Sequence, residues 1–192
     1  MAVTRYYCAA SLDGYIAESD DRIDWLLGYQ GSYEGNGAKP VEGGYEEFYA
    51  DVAALVMGSV TYEWILDHLD VAGGGQWPYR GKPTWILSSR ELRLPEGEGV
   101  DVRIAAVSVR ELYDEMTAAA GGDVLWVVGG GNVASQFADE GLLDEVHVTV
   151  VPVVLAHGKP LFDRRLPGPP MQLTDVLPRP SGMVELRYEV RR

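Results

Sequence analysis

An α/β architecture is predicted: a central sheet, mixed but mostly parallel, with helices on both faces and an antiparallel hairpin at the carboxyl end. Three observations predict it. Short runs rich in valine, isoleucine and aromatics alternate with helix-length periodic stretches, the pattern of strands joined by crossover helices. Residues 124–133, VLWVVGGGNV, pass from a strand into a helix through three glycines. Beyond Phe162 the alternation gives way to two extended runs, 171–177 and 183–190, joined through PRPSG, which read as a hairpin.

The elements follow in order. Residues 4–10 form the first strand, and SLDGYIA follows it, with Asp13-Gly14 as a turn signal. An irregular stretch, 18–44, comes next; such a length inside a domain is often a lid or binding loop. The spacing of Tyr45, Phe48, Tyr49 and Val52 gives a helix one apolar face, and residues 54–57 follow as a strand ended by Gly58. A helix over 59–69, the loop AGGGQWPYRG and a strand over 83–87 come after it. Then come a strand near 100–105, a helix over 108–120, the strand 124–128, a helix over 132–140 and a strand over 145–151.

At 192 residues the chain suits one domain, 1–192, and no repeat or linker composition divides it. Hydrophobic residues make up 46% and charged residues 23%, as in soluble globular proteins, and no apolar run approaches the roughly 18 residues that span a bilayer. Residues 1–12 enter a strand pattern with no leader-like composition, so the expected compartment is the cytoplasm. A net charge of -13 opposes binding to nucleic acid. Cys8, in an apolar run, reads as an inert thiol, and His68, His147 and His157 lack metal-ligand spacing, so no metal site is expected.

The glycine run carries the functional signal. Glycine lets the backbone approach a ligand closely, and the first amides of the following helix carry partial positive charge, so the turn suits a pyrophosphate. A tight strand-to-helix turn without a ligand is the bland alternative, but such a turn seldom needs three adjacent glycines. Gly73-Gly74-Gly75 lacks a flanking strand and helix and reads as loop. Gly129, Gly131 and Ala134 also satisfy G-x-G-x-x-A, but a Rossmann domain places an acidic residue about 20 positions on, where residues 150–154 hold none.

Five segments in order carry a resemblance: AASLDGYIA, LVMGSVTYE, WILSSREL, VVGGGNVASQF and LLDEVHVTVVPVVLAHGKPLF. Together they resemble the dihydrofolate-reductase-like fold, in the branch of riboflavin-biosynthesis pyrimidine reductases and their stand-alone relatives. The resemblance implies a three-layer fold, a homodimer through the late strands, and NADPH as hydride donor across the carboxyl ends of the strands. In that pose Gly129, Gly130, Gly131, Asn132 and Val133 hold the pyrophosphate region. Gly58, Ser59 and Thr61 lie under the adenosine side, and Ser88, Ser89 and Arg90 line the adenine ribose and its 2′-phosphate. Ala10, Asp13 and Ile16 edge the nicotinamide.

Two departures narrow the implied function. Many relatives carry an arginine where this chain has Ser59, so NADPH over NADH rests on Arg90, whose planar guanidinium suits phosphate. Dihydrofolate reductases proper carry a carboxylate where a simple alignment places Gly44, which argues against folate. Hydride transfer to a C=N or C=O group calls for a proton donor. Asp24, in RIDWLL, is the candidate acid, since relatives place a similar Asp-Trp pair beside the substrate; equally, aspartate there can cap a short helix through Leu27. Asp13 suits the Asp-Gly turn better than proton transfer. Trp25, Tyr45 and Tyr49 could stack on a planar heterocycle, although aromatics at helical spacing are more often core.

The expectation is an NADPH-dependent reductase acting on a small pyrimidine or pteridine-like ring, resembling 5-amino-6-(5-phosphoribosylamino)uracil reductase or dihydrofolate reductase. A cofactor-binding protein without turnover is the alternative from another class, and a Rossmann-type NAD enzyme a third.

Overall fold

Strand β1 (Val3–Ser11) lies between β6 (Val124–Gly129) and β7 (Glu145–Val151) in a computed structural model that describes residues 2–28, 44–68, 75–120 and 123–192. Both neighbours run parallel to it. With β3 (Val52–Gly58), β4 (Thr84–Leu87), β5 (Val102–Ala105), β9 (Gln172–Pro178) and β10 (Val184–Glu189) they form an eight-stranded sheet, ordered β5-β4-β3-β6-β1-β7-β10-β9. Strand β10 pairs antiparallel with β7 and with β9, so the hairpin closes one end of an otherwise parallel sheet. The sheet is mixed, as expected.

Helices cover both faces because the central strands are apolar on both sides. Along β3, Ala54 and Val56 join one core with Val109, Leu112 and Met116 of α4 (Val109–Ala120) and Val133, Ala134 and Phe137 of α5 (Gly131–Asp139). Leu55 and Met57 point the other way, to Phe48 of α2 (Tyr45–Asp51) and Tyr62, Ile65 and Leu66 of α3 (Ser59–His68). The strand period of two thus divides one element between two cores, and the result is three layers.

The predicted elements recur within a residue or two, and the helix after the glycine run starts one residue earlier, at Gly131. A short helix, α1 (Asp24–Leu27), is present, but its cap is Ile23, without a side-chain hydrogen bond; Asp24 occupies the first turn instead of capping it. The irregular stretch over 18–44 is described only to residue 28 and at Gly44, and Gly73 and Gly74 also fall outside the described residues. A second, two-stranded sheet was not foreseen: β2 (Tyr15–Ala17) pairs antiparallel with β8 (Lys159–Pro160). Runs of three and two residues carry too little periodicity to be read as strands. Gly14, at φ +87°, makes the turn that delivers β2, and Gly158 makes its pairing possible, since a Cβ there would lie 2.2 Å from the Ala17 carbonyl oxygen. Among the described residues no helix is long and apolar enough to cross a membrane.

Candidate active site

A cavity of about 1390 Å³ opens over the carboxyl ends of β3, β4, β5 and β6. Ends of parallel strands are where open α/β sheets leave a crevice, because each chain turns there into its crossover. On one side the wall is backbone-rich: Gly58 to Thr61 at the start of α3, Leu87 to Arg90 after β4, and Gly129 to Val133 where β6 enters α5. Two helices of nine or more residues therefore begin on the same cavity, each bringing first-turn amides that have no acceptor four residues back. The other side is apolar and aromatic, with Tyr7, Tyr45, Trp64, Tyr79 and Trp126 joined by Ile23 and Leu26.

The three glycines divide the work. A Cβ on Gly129 would stand 3.3 Å from Thr61 Oγ1, and one on Gly130 would stand 3.7 Å from Ile16 Cδ1, a residue of the cavity wall. Gly131 answers to the fold itself, since its Cβ would lie 2.5 Å from the Pro160 carbonyl oxygen and 2.7 Å from that of Leu161. Packing therefore accounts for Gly131 and, against Thr61, for Gly129, while Gly130 leaves its backbone bare beside Ile16 on the cavity wall. Side-chain-free backbone beside two helix starts matches the needs of a bridging pyrophosphate.

Charges on the wall are paired internally. Arg90 donates both terminal nitrogens to Glu63, at 3.2 and 2.5 Å, and Lys159 lies 3.3 Å from Asp21. On the wall, Asn132 donates to Asp163 at 2.5 Å and accepts from Gln136 Nε2 at 2.7 Å. Asp163 also accepts from Arg164, whose cation holds its carboxyl well below the usual carboxylate range. Burial pushes the Tyr45 phenol up, so it remains a neutral donor, and pushes the half-buried Cys8 thiol up to about 12, consistent with an inert thiol.

Of the residues singled out in the sequence, the cavity brings together Ile16, Tyr45, Gly58, Ser59, Thr61, Ser88, Ser89, Arg90 and 129–133. Five others stand elsewhere. Ala10 is fully buried in β1, one residue beyond the wall residues Cys8 and Ala9. Asp13 accepts from Ser11 Oγ at 2.7 Å and from the amides of Leu155 and Ala156 at 3.1 and 2.7 Å, which ties the Asp-Gly turn to the loop after β7. Asp24 is exposed, with Arg22 at 3.6 Å, and forms no part of the wall, because the helix carries its neighbours Ile23 and Leu26 there instead. Trp25 packs with Ala9, Val151 and Met183. Tyr49 stacks behind Tyr45 at 5.7 Å between ring centres and belongs to the core behind the wall. The aromatic members Tyr7, Trp64, Tyr79 and Trp126, and Lys159 with Asp21, were missed in the sequence; the HGKP run within the fifth segment was the available clue to Lys159.

The model of the RibD C-terminal domain family matches residues 4–184, nearly the whole chain. The chain belongs to the RibD C-terminal domain family. The uncharacterized protein YwjB of Bacillus subtilis (strain 168) is 32% identical over 160 residues, 83% of this chain and 82% of that protein. A candidate riboflavin biosynthesis protein from Shewanella sp. PV-4 superposes along the whole of both chains with a TM-score of 0.79 at 27% identity. The diaminohydroxyphosphoribosylaminopyrimidine deaminase/5-amino-6-(5-phosphoribosylamino)uracil reductase of Thermotoga maritima matches 98% of this chain with a TM-score of 0.64. This chain spans 56% of that protein's length, and at 16% identity the likeness is one of fold. The RibD-type domain is dihydrofolate-reductase-like, as the five segments implied. A Rossmann domain is excluded, since the glycines follow the sixth strand and the sheet ends in antiparallel β10 and β9.

Proposed function

We propose that this RibD-type domain is an NADPH-dependent reductase that passes hydride to a small planar heterocycle of pyrimidine or pteridine type. One observation carries the reading: bare glycine backbone and two helix starts share a cavity with an aromatic wall, and its volume exceeds the roughly 300–1,000 Å³ of most single-ligand sites. There is room for a dinucleotide and a second ring. The residues fit the cofactor. Gly129 to Val133 and the first turn of α3 would hold its phosphates through backbone amides, and Ser88, Ser89 and Arg90 would hold its adenine ribose. When bound, the cofactor supplies the hydride. The protein's own part is to orient the two rings and keep water from the apolar side, while the proton for the reduced heteroatom comes from solvent. Tyr45, a phenol on the wall that burial keeps protonated, is proposed to donate a hydrogen bond to the heterocycle, and Asp24 stands off the wall.

Titration of the pure protein with NADPH, followed by nicotinamide fluorescence, tests this directly. Saturable binding below millimolar is expected, and none at millimolar cofactor overturns the reading. In Gly130→Ala the added Cβ would stand 3.7 Å from Ile16 Cδ1, in ordinary contact, so NADPH should bind several-fold more weakly with the melting temperature nearly unchanged. Binding without turnover is the second reading, favoured by the cations already engaging Asp21 and Asp163, the two wall carboxylates among the described residues. NADPH binding with no reduction of any pyrimidine or pterin would select it. The same proposal takes cytoplasmic residence and a second copy of the chain along the hairpin edge.

A further inference from the structure

Arg90 and Lys159 are the arginine and lysine residues on the cavity wall among the described residues, and each faces a carboxylate. The two pairs differ in where the carboxylate stands. Asp21 lies on the wall with Lys159, whereas Glu63 lies off it, on the second turn of α3, and grips Arg90 end-on with both oxygens. The Arg90 amide donates to Ser88 Oγ at 3.0 Å, and both residues line the cavity.

We infer that Glu63, acting through Arg90, sets how strongly this domain tells a cofactor with a phosphate monoester on its adenine ribose from one without it. The inference rests on the cofactor reading above. A guanidinium paired fork-to-fork with a carboxylate has spent the geometry that would hold two phosphate oxygens, and the carboxylate beside it repels the incoming dianion. With Arg90 and Glu63 exposed to 52% and 43%, the pair is solvent-screened and can open. NADPH is therefore accepted, but with a small margin over NADH. Ser59, a neutral residue at the start of α3, adds no second cation to widen it.

The test is a set of direct titrations with NADPH and with NADH, at fixed ionic strength, on the wild-type chain, Glu63→Gln, Arg90→Leu and the double variant. Both residues are exposed and joined by a surface pair, so folding should survive, as circular dichroism would verify. The wild-type chain is expected to favour NADPH by less than about ten-fold. Glu63→Gln should tighten NADPH by about three- to five-fold and leave NADH unchanged within error, a change that a purely structural role would not produce. Arg90→Leu alone should leave NADH the tighter ligand, since Glu63 then repels the phosphate unopposed, and adding Glu63→Gln should bring the two cofactors to equal affinity. If Glu63→Gln leaves the ratio unchanged, or weakens NADPH, the inference is overturned while the cofactor reading stands. If no variant binds either cofactor, both fall together.

Discussion

Some ionisable residues not singled out in the sequence owe their behaviour to partners that the fold brings beside them. Glu145 is an example. It accepts from Arg5 Nε at 2.7 Å and stands 3.3 Å from His147 Nε2, and these contacts, led by the hydrogen bond with His147, lower its pKa from 4.5 to about 2. A carboxylate depressed in the folded state stabilises fully above its unfolded value, and that stability is lost as the pH falls from about 4.5 through about 2. Burial holds His147 below its ordinary 6.5, so the unfolded chain takes up that proton first and acid begins to destabilise the fold below about pH 6.5. Glu145→Gln should therefore cost about 1–3 kcal/mol at pH 7, discounted for its partial exposure. Urea midpoints for the two proteins should converge as the pH approaches 2; a gap independent of pH would refute this account. His147 stands two residues on within EVHVTVV, but Arg5, the second partner, comes from β1, so the three-residue cluster could not be read from that segment.

Elements long enough to show their period were legible, and those held by pairing alone were not. Strand β1 and helix α4 announce themselves through spacing, but β2 and β8 exist because Gly158 lets two backbones meet. That small sheet carries Ile16, Ala17, Lys159 and Pro160 onto the cavity wall, and Leu161 donates its amide to the Gly14 carbonyl oxygen beside it. Gly158→Ala would force the two segments apart, since the Ala17 carbonyl oxygen cannot yield as a side chain would. Hydrogen exchange at 15–17 should accelerate at least about ten-fold, with α3 and α4 unaltered and NADPH bound more weakly. Uniform acceleration across the protein would mean instead that the pairing is part of the global fold.

For the whole molecule, the sheet is covered on both faces at its centre and ends in two edge strands, β5 and β9. On β9, Leu173 and Val176 are exposed to 48% and 52%. Exposed apolar residues on an unpaired edge invite another chain, and the proposed dimer would use them. Sedimentation should give a dimer at micromolar concentration for the wild-type chain and a monomer for Val176→Lys; a wild-type monomer at that concentration would end the proposal. Edge status could not be read from residues 171–177, since any hairpin strand shows the same alternation and only the strand order names the last one.

What the sequence determined by itself was whatever is local or periodic: the succession of strands and helices, the hairpin, the glycine-bearing strand-to-helix turn, and through five ordered segments the fold and the family. Helix and strand periods are written into spacing a few residues long, and a glycine run constrains the backbone where it stands. Only the tertiary structure decided which side chains meet. It took Asp24 off the cavity wall and put Tyr45 on it, gave Gly131 to packing and Gly130 to the cavity, and set Glu63 against Arg90 across 27 positions of chain. Such contacts depend on how distant segments are brought together by sheet order and by the burial of two opposite faces, and no spacing within one segment encodes them.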